Sequence, residues 1–408
     1  MNPPLSHSSA LAQNRERLLL IVLALVQFTH IVDFMIIMPL GPRLMAEFGI
    51  TPGRFGALVS AYTFSAGVFG FLAAPLLDRY RRKSALMCSF TGFIVGTALC
   101  GIAPSNELLM LARIVAGCFG GISSSLIMAT VADAIPLERR AAAMAIVMTS
   151  FALASVLGVP LGLFAANHLG WRAPFLILGA FALLVLIAAG LALPHVQRIP
   201  RAAGESVMAS LLAVFAVPRH WLAFGFTMAL MFSGFVVIPY ISPTLVQNNG
   251  MSNEHLPLVY MAGGVCTFFS MPFIGRLADR YGLFRVFATM SLLTMPAIIG
   301  ITHFTGHPHL WIILSITTAF MVCASGRFAP AMTLVTSTVE PRHRGGFLSV
   351  NNAFQQIASG LASMTAALIL VPGPDGTILH YGITGWIGVT SLALSIFLAS
   401  RIRKTRHA

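Results

Sequence analysis

Runs of apolar residues long enough to cross a lipid bilayer recur along this chain. A crossing helix needs about 20 mostly apolar residues. Such runs fall at about 18–40, 54–77, 84–103, 107–131, 140–166, 173–193, 219–247, 256–277, 283–303, 309–338, 344–371 and 380–400. They are continuously apolar and lack the alternation over about ten residues that marks a membrane β-barrel. Of the 408 residues, 57% are hydrophobic and 9% charged, whereas soluble domains carry about 25% charged residues. The chain reads as an all-α membrane protein with twelve transmembrane helices. Several runs exceed the minimum length, so tilted or kinked helices are expected. The first run follows Arg15 and Arg17, but it is too long for a signal-peptide core and reads as a mature helix.

The formal net charge is +13, and its placement excludes nucleic acid as the partner. With the N-terminus inside, 20 of the Lys and Arg residues fall in cytoplasmic segments, three (Arg43, Arg54, Arg172) in outer loops, and two (Arg113, Arg327) within runs. Lys and Arg favour the cytoplasmic side, which puts both termini there and gives the basic surface an anionic lipid neighbour. The five cysteines all lie in runs with no CxxC spacing, as small apolar packing residues do.

The longest polar interruption begins at "PHVQRIPRAAGESVMAS". It divides the chain into 1–193, a first six-helix bundle, 194–218, a cytoplasmic linker, and 219–408, a second bundle. The halves echo each other. "APLLDRYRRKSAL" follows the second run and "IGRLADRYGLFRV" the eighth, and "IPLERRAA" after the fourth is answered by "VEPRHRGG" after the tenth. Pseudo-symmetric six-helix halves with a site at the membrane midplane are a common transporter plan.

These patterns resemble the major facilitator superfamily, specifically transporters of the drug:proton antiporter-1 type, such as bacterial sugar- and drug-efflux permeases. The resemblance covers nearly the whole chain. "DRYRRK" (78–83) is similar to the superfamily's hallmark loop, with Arg81 where glycine is usual; Gly282 holds that position in the second copy. "LARIVAGCFGG" (111–121) is similar to the family's fourth helix. "SVLGVPLGLFAANHLGWRAPF" (155–175) is similar to the antiporter Gly-Pro motif, carried here by Gly158, Pro160 and Gly162. The resemblance implies a monomeric exporter of small amphipathic organic molecules, drug-like compounds or metabolites, in a bacterial cytoplasmic (inner) membrane. It works by alternating access, uses the proton gradient and needs no cofactor. A proton-independent facilitator or a sugar efflux permease is the alternative.

Asp33, Arg113 and Arg327 are the potential charges clearly within the apolar runs. A charge at mid-bilayer costs about 2.5–3.5 kcal/mol on insertion scales, so partners are expected. Asp33 on the outward-running first helix and Arg113 on the inward-running fourth both lie about 10 Å below the outer surface, at ~1.5 Å per residue. Desolvation makes a carboxylate hold its proton and a nearby guanidinium makes it let go, so the pair suits a proton-coupling site. A purely structural ion pair fits the same residues. His30 lies three residues before Asp33 on the same helical face, placed to share its proton or to pack, and Gln27 extends that polar sector inward.

Asn352, Gln355, Gln356 and Ser359, at i, i+3, i+4 and i+7, form a polar stripe on the eleventh helix, expected to face a cavity or another helix rather than lipid. With Phe232, Phe235 and Tyr240 of the seventh helix, Tyr62 of the second and Gln27, they are candidates for binding an amphipathic molecule. Arg327 is a further candidate, with pairing near the cytoplasmic gate or snorkelling as the alternatives. Asp78, Arg79, Arg82, Lys83 and Asp133, with Asp279 and Arg280 in the second copy, read as a cytoplasmic gate. Asp78 suits the electropositive N-terminus of the eleventh helix, and Asp133 suits Arg82 or Arg140. His303, His307 and His309 cluster in an outer loop without the carboxylates of a metal set, so no metal is expected. No GxxxxGK[ST] or HExxH motif is present, which argues against direct ATP drive and against an enzyme. No loop is long enough to fold as a sensor domain.

Overall fold

The computed structural model describes residues 7–77, 80–192, 214–304, 306–339 and 344–407. The first half contains α1 (His7–Ile36), α2 (Gly41–Phe48), α3 (Pro52–Leu77), α4 (Arg82–Ile102), α5 (Asn106–Ala134), α6 (Leu137–Leu153), α7 (Val159–Leu169) and α8 (Ala173–Ala192). The second contains α9 (Pro218–Phe235), α10 (Ile241–Gln247), α11 (Leu256–Tyr281), α12 (Leu283–Thr302), α13 (Leu310–Gly326), α14 (Phe328–Thr336), α15 (Arg344–Ile369) and α16 (Tyr381–His407). Among the described residues eleven helical segments are long and apolar enough to cross a membrane. The remaining long helix, α15, carries Asn351, Asn352, Gln355 and Gln356 and is less apolar for that reason. Together they make twelve spans in two six-helix bundles. The expected linker lies mostly outside the described residues.

Among the described residues three spans are interrupted, each beside a proline. Span five joins α6 to α7 through a π-helical turn, Ala154–Gly158, in which the Val159 N–H reaches back to the Ala154 carbonyl. The wider turn accommodates Pro160, which has no N–H and crowds the preceding turn. Thus the Gly-Pro segment bulges the helix and does not end it. Span seven passes from α9 through a 3₁₀ turn at Ile238–Tyr240, around Pro239, into α10. Span ten breaks at Arg327 between α13 and α14, where Pro330 cannot donate to the carbonyl four residues back. A short antiparallel hairpin before α16, β1 (Val371–Pro372) with β2 (Ile378–Leu379), was not expected; its turn holds Gly373, Pro374 and Gly376, and its strands are too short for alternation to reveal.

Small residues set the helix spacing. A Cβ at Gly117 would lie 2.4 Å from the Tyr62 carbonyl oxygen, and one at Gly121 would lie 2.2 Å from that of Ala66. Spans two and four therefore touch backbone to backbone, as small-xxx-small pairs permit. A Cβ at Gly158 would meet Val32 at 2.3 Å, and one at Gly162 would meet Ile36 at 2.6 Å. The glycines of the Gly-Pro segment thus press span five onto span one on either side of Asp33.

The bundle has a basic end, where Arg81–Lys83 join α4, and a distal end opposite. One hydrophobic core runs through the second half and continues into the distal ends of the first, through Ile36, Leu40, Phe55, Cys100, Leu109, Leu163 and Phe175. The basic-side part of the first half has a separate core around Leu23, Phe90, Phe93, Leu126 and Val147. The halves are thus fused distally and have distinct cores towards the basic end. Large apolar side chains such as Leu72, Leu161, Phe164, Leu184, Phe269 and Trp311 are exposed on the outside, as lipid contact requires.

Candidate functional site

The Ser105 side chain caps the N-terminus of α5, accepting from the Leu108 N–H at 3.3 Å. That cap sets the start of span four and hence the depth of Arg113, two turns on. There Arg113 meets Asp33. Nη1 donates to Asp33 Oδ2 at 2.7 Å and to its main-chain oxygen at 3.1 Å. Thr97 of span three donates to Asp33 Oδ1 at 3.1 Å. Both charged side chains are fully buried. The guanidinium carbon also lies 4.3 Å from the centroid of the Tyr62 ring, and such a contact contributes about 0.5–2 kcal/mol. Arg113 Nε and Nη2 have no hydrogen-bond partner among the described residues.

The other candidates of the first half surround this pair. His30 is buried one turn nearer the basic end. Its ring lies edge-on to Phe93 at 4.3 Å and to Phe90 at 5.6 Å, and neither ring nitrogen has a partner among the described residues. The expected sharing of a proton with Asp33 is not made in this conformation: the imidazole occupies the aromatic slot of span three, level with Phe93 and not with Thr97. Gln27 is half-buried and accepts from Ser124 of span four at 3.4 Å. Tyr62 is buried, and Phe34 stacks on it at 5.6 Å. Phe34 also touches Phe235 of the other half at 5.6 Å, so the aromatic pathway from Arg113 crosses the boundary between bundles.

In the second half Arg327 is buried at the break in span ten. Its Nη2 donates to Ser233 Oγ of span seven at 3.3 Å, while Nη1 has no partner among the described residues. This corrects the snorkelling alternative, because the guanidinium turns into the bundle and is 4% exposed. Phe232 and Phe235 are half-buried, and Asn352 is exposed. Gln355 reaches Met332 Sδ of span ten at 3.7 Å, and Gln356 lies against Gly67 of span two. The polar stripe therefore borders two neighbouring spans. Tyr240 is placed differently from the expectation. It is fully buried, and its hydroxyl donates to the Pro52 carbonyl across the halves at 3.0 Å. Pro239 and the 3₁₀ turn swing it into the distal seal, away from any cavity wall in this conformation.

The seal is built from close approaches. A Cβ at Gly56 would meet the Tyr240 hydroxyl at 2.1 Å and Ala367 at 2.6 Å, and one at Gly41 would meet Phe55 and Pro243 at 2.8 Å. Ser60 and Ser363 hydroxyls bond main-chain carbonyls of the opposite half at 3.2 and 3.3 Å. At Gly264 of span eight a Cβ would lie 2.7 Å from the Ser155 carbonyl in the π turn.

At the basic end Arg82 donates to Asp133 at 2.7 Å, and Lys83 donates to the Gly190 carbonyl at 2.7 Å near the C-terminus of α8. A cation is favoured at that end of a helix. Asp78 and Arg79 lie outside the described residues, as does the expected contact of Asp78 with the start of span eleven. Asp279 borders a cavity of about 470 Å³ with Gly282, Arg285, Thr333 and Ser337, and Arg280 lies over Tyr281 at 5.4 Å. Of the loop histidines, His307 bonds the Asn249 carbonyl at 2.9 Å.

Thr97 and Ser233 are the site residues that reading the sequence missed. Hydroxyl residues are common in membrane helices, where they bond their own backbone, and nothing local marks these two as partners of a charge.

A family model, Major Facilitator Superfamily, matches residues 23–363 and 222–407. The chain is 24% identical over 383 residues to an uncharacterized MFS-type transporter, YceJ, of Bacillus subtilis, covering 93% of this chain and 95% of that one. It is 25% identical over 239 residues to a chloramphenicol resistance protein of Streptomyces lividans, covering 59% and 61%. Among solved structures, a bacterial homolog of the human lysosomal transporter Spinster, in an inward-facing and unoccupied conformation, has the same fold. The TM-score is 0.69 at 18% identity, covering 95% of each chain.

Proposed function

The chain belongs to the Major Facilitator Superfamily, and from that premise we propose that it is a proton-coupled antiporter. It exports small amphipathic organic molecules by alternating access, from a bacterial cytoplasmic membrane with its basic end in the cytoplasm. The observation that carries this reading is the Asp33–Arg113 pair, fully buried, hydrogen-bonded on both carboxylate oxygens and linked through Tyr62 and Phe34 to Phe235 of the other half.

In the proposed cycle Asp33 is ionised in the conformation where the guanidinium and Thr97 face it. Rocking of the halves opens the distal seal and admits water and protons from outside. A proton on Asp33 cancels its attraction for Arg113 and releases the guanidinium towards Tyr62 and the boundary. Return to the distally closed conformation re-forms the pair and sends the proton inward. Each proton descending a 100 mV potential yields ~2.3 kcal/mol, enough for a roughly 50-fold substrate gradient.

The likeness to a chloramphenicol resistance protein supports efflux, and the cytoplasmic side of the basic end rests on the 20-to-3 imbalance of Lys and Arg. The test is reconstitution in proteoliposomes with an imposed pH gradient, against a panel of amphipathic anions and cations, sugars and nucleosides. Proton flux opposite to and stoichiometric with one substrate class is expected. Transport equal with and without the gradient would make the protein a facilitator.

A further inference from the structure

Arg113 and Arg327 sit on corresponding helices of the two bundles, spans four and ten, and each faces the first span of its own half. In the first half that span supplies Asp33. In the second it supplies Ser233, 3.3 Å from Arg327 Nη2. Arg327 forms no ion pair among the described residues, its Nη1 is unpartnered, and it is buried. The repeated architecture has kept the cation, without a counter-ion among the described residues.

A lone guanidinium at this depth is unfavourable unless an anion reaches it for part of the cycle. The surroundings fit that role. Span ten breaks at Arg327 itself, and span seven breaks just beyond Ser233, at Val236–Tyr240. Interrupted helices near the midplane are where secondary transporters bind their substrates. The guanidinium lies against Gly234, where a Cβ would be 3.8 Å from Nη2. The next residue, Phe235, reaches Phe34 across the halves. Phe235 and Phe34 thus offer apolar contact at the boundary, one residue along span seven from the glycine against which the Arg327 guanidinium lies, and Nη1 is the donor left for a charged oxygen once the interrupted spans part.

We propose that the transported molecule is an amphipathic organic anion whose carboxylate pairs with Arg327. This rests on the export reading above and names its substrate class. Arg is suited to the task because its planar fork offers paired donors to a carboxylate and keeps its charge when buried.

The probes for the test are dansylglycine, its neutral amide dansylglycinamide, and cationic dansylethylenediamine, titrated by fluorescence into the purified transporter in nanodiscs. Wild type is expected to bind the carboxylate at least tenfold more tightly than the amide. Arg327→Gln should bring that ratio close to one, and Arg327→Lys should retain part of it. Equal affinity for the three probes in wild type, or a preference that survives in Arg327→Gln, overturns the proposal. Should none bind, the melting temperatures of the ligand-free proteins decide. Arg327→Gln melting at or above wild type agrees with an uncompensated cation, and melting several degrees lower makes Arg327 a structural residue and ends the proposal. Carboxylate preference with gradient-insensitive transport removes proton coupling and leaves the anion site standing. Gradient-driven export without that preference does the reverse.

Discussion

Replacing Asp33 by Asn removes the charge from the buried pair and leaves its shape almost unchanged. Breaking a buried ion pair by neutralising one partner costs about 3–5 kcal/mol, because the other charge stays buried without its partner. Two contacts soften the loss. Arg113 keeps its hydrogen bond to the main-chain oxygen of residue 33 at 3.1 Å, and it keeps the Tyr62 face at 4.3 Å, a contact of about 0.5–2 kcal/mol. The lower end, about 3 kcal/mol, is therefore expected, a roughly 150-fold shift between folded and unfolded protein. Against a typical stability of about 5–15 kcal/mol, the variant still folds and reaches the membrane, so transport is measurable. In proteoliposomes with an imposed pH gradient, Asp33→Asn should abolish proton-linked export while substrate binding persists. The double variant Asp33→Asn/Arg113→Gln separates the two effects: it should recover much of the stability, since no lone charge remains, and none of the coupling. Coupled export at the wild-type rate in Asp33→Asn would refute the role of the carboxylate. A double variant as unstable as the single one would refute the energetic argument.

Other sites answer to simpler measurements. Thr97→Val deletes the donor to Asp33 Oδ1; a hydrogen bond to a charged group contributes about 1.5–3 kcal/mol, so the melting temperature should fall, and Thr97→Ser should restore it. Tyr240→Phe removes the hydroxyl that bonds Pro52 across the distal seal. At about 1 kcal/mol the distally open population should rise roughly fivefold, read by spin-label distances between the distal ends of spans one and seven. Gly121→Ala places a Cβ 2.2 Å from the Ala66 carbonyl oxygen, where no flexible side chain can yield. It should cost at least about 1–3 kcal/mol and lower the yield of folded protein, whereas Gly275→Ala, with nothing within 4 Å, should not.

The spans were legible because the bilayer imposes one rule on every one of them, a length of apolar helix. Asp33 and Arg113 could be brought level from the same rule, since rise per residue converts sequence position into depth. What depth does not give is azimuth. His30 and Asp33 share a helical face, yet the His30 ring is held between Phe90 and Phe93, and only the packing of span three determines that. Tyr240 was misplaced for a similar reason. Its helix is not continuous, and the 3₁₀ turn at Pro239 re-aims every side chain beyond it. The hydroxyls of Thr97 and Ser233 are invisible in the sequence because their roles depend on what stands opposite, 64 residues away for Thr97 and 94 for Ser233.

The two proposed roles account together for the unequal treatment of the two arginines. On the proposed reading, a coupling residue is neutralised and released within every cycle, and a partner fixed in the protein at 2.7 Å suits it. A substrate counter-charge must be vacant when the substrate is absent, and a built-in carboxylate at Ser233 would compete with the ligand for Arg327. The same division sets the energetics of export. One proton entering for one neutral molecule leaving moves a single positive charge inward. One proton entering for one anion leaving moves the equivalent of two, which at 100 mV supplies ~4.6 kcal/mol, or a roughly 2,000-fold gradient. An exporter with its only unpaired buried cation, among the described residues, in the second bundle would thus draw on the membrane potential twice over. Under a potassium–valinomycin clamp with the pH gradient held at zero, the substrate gradient at steady state should then follow the potential with two charges per cycle, and the one-charge dependence of neutral exchange would refute the argument.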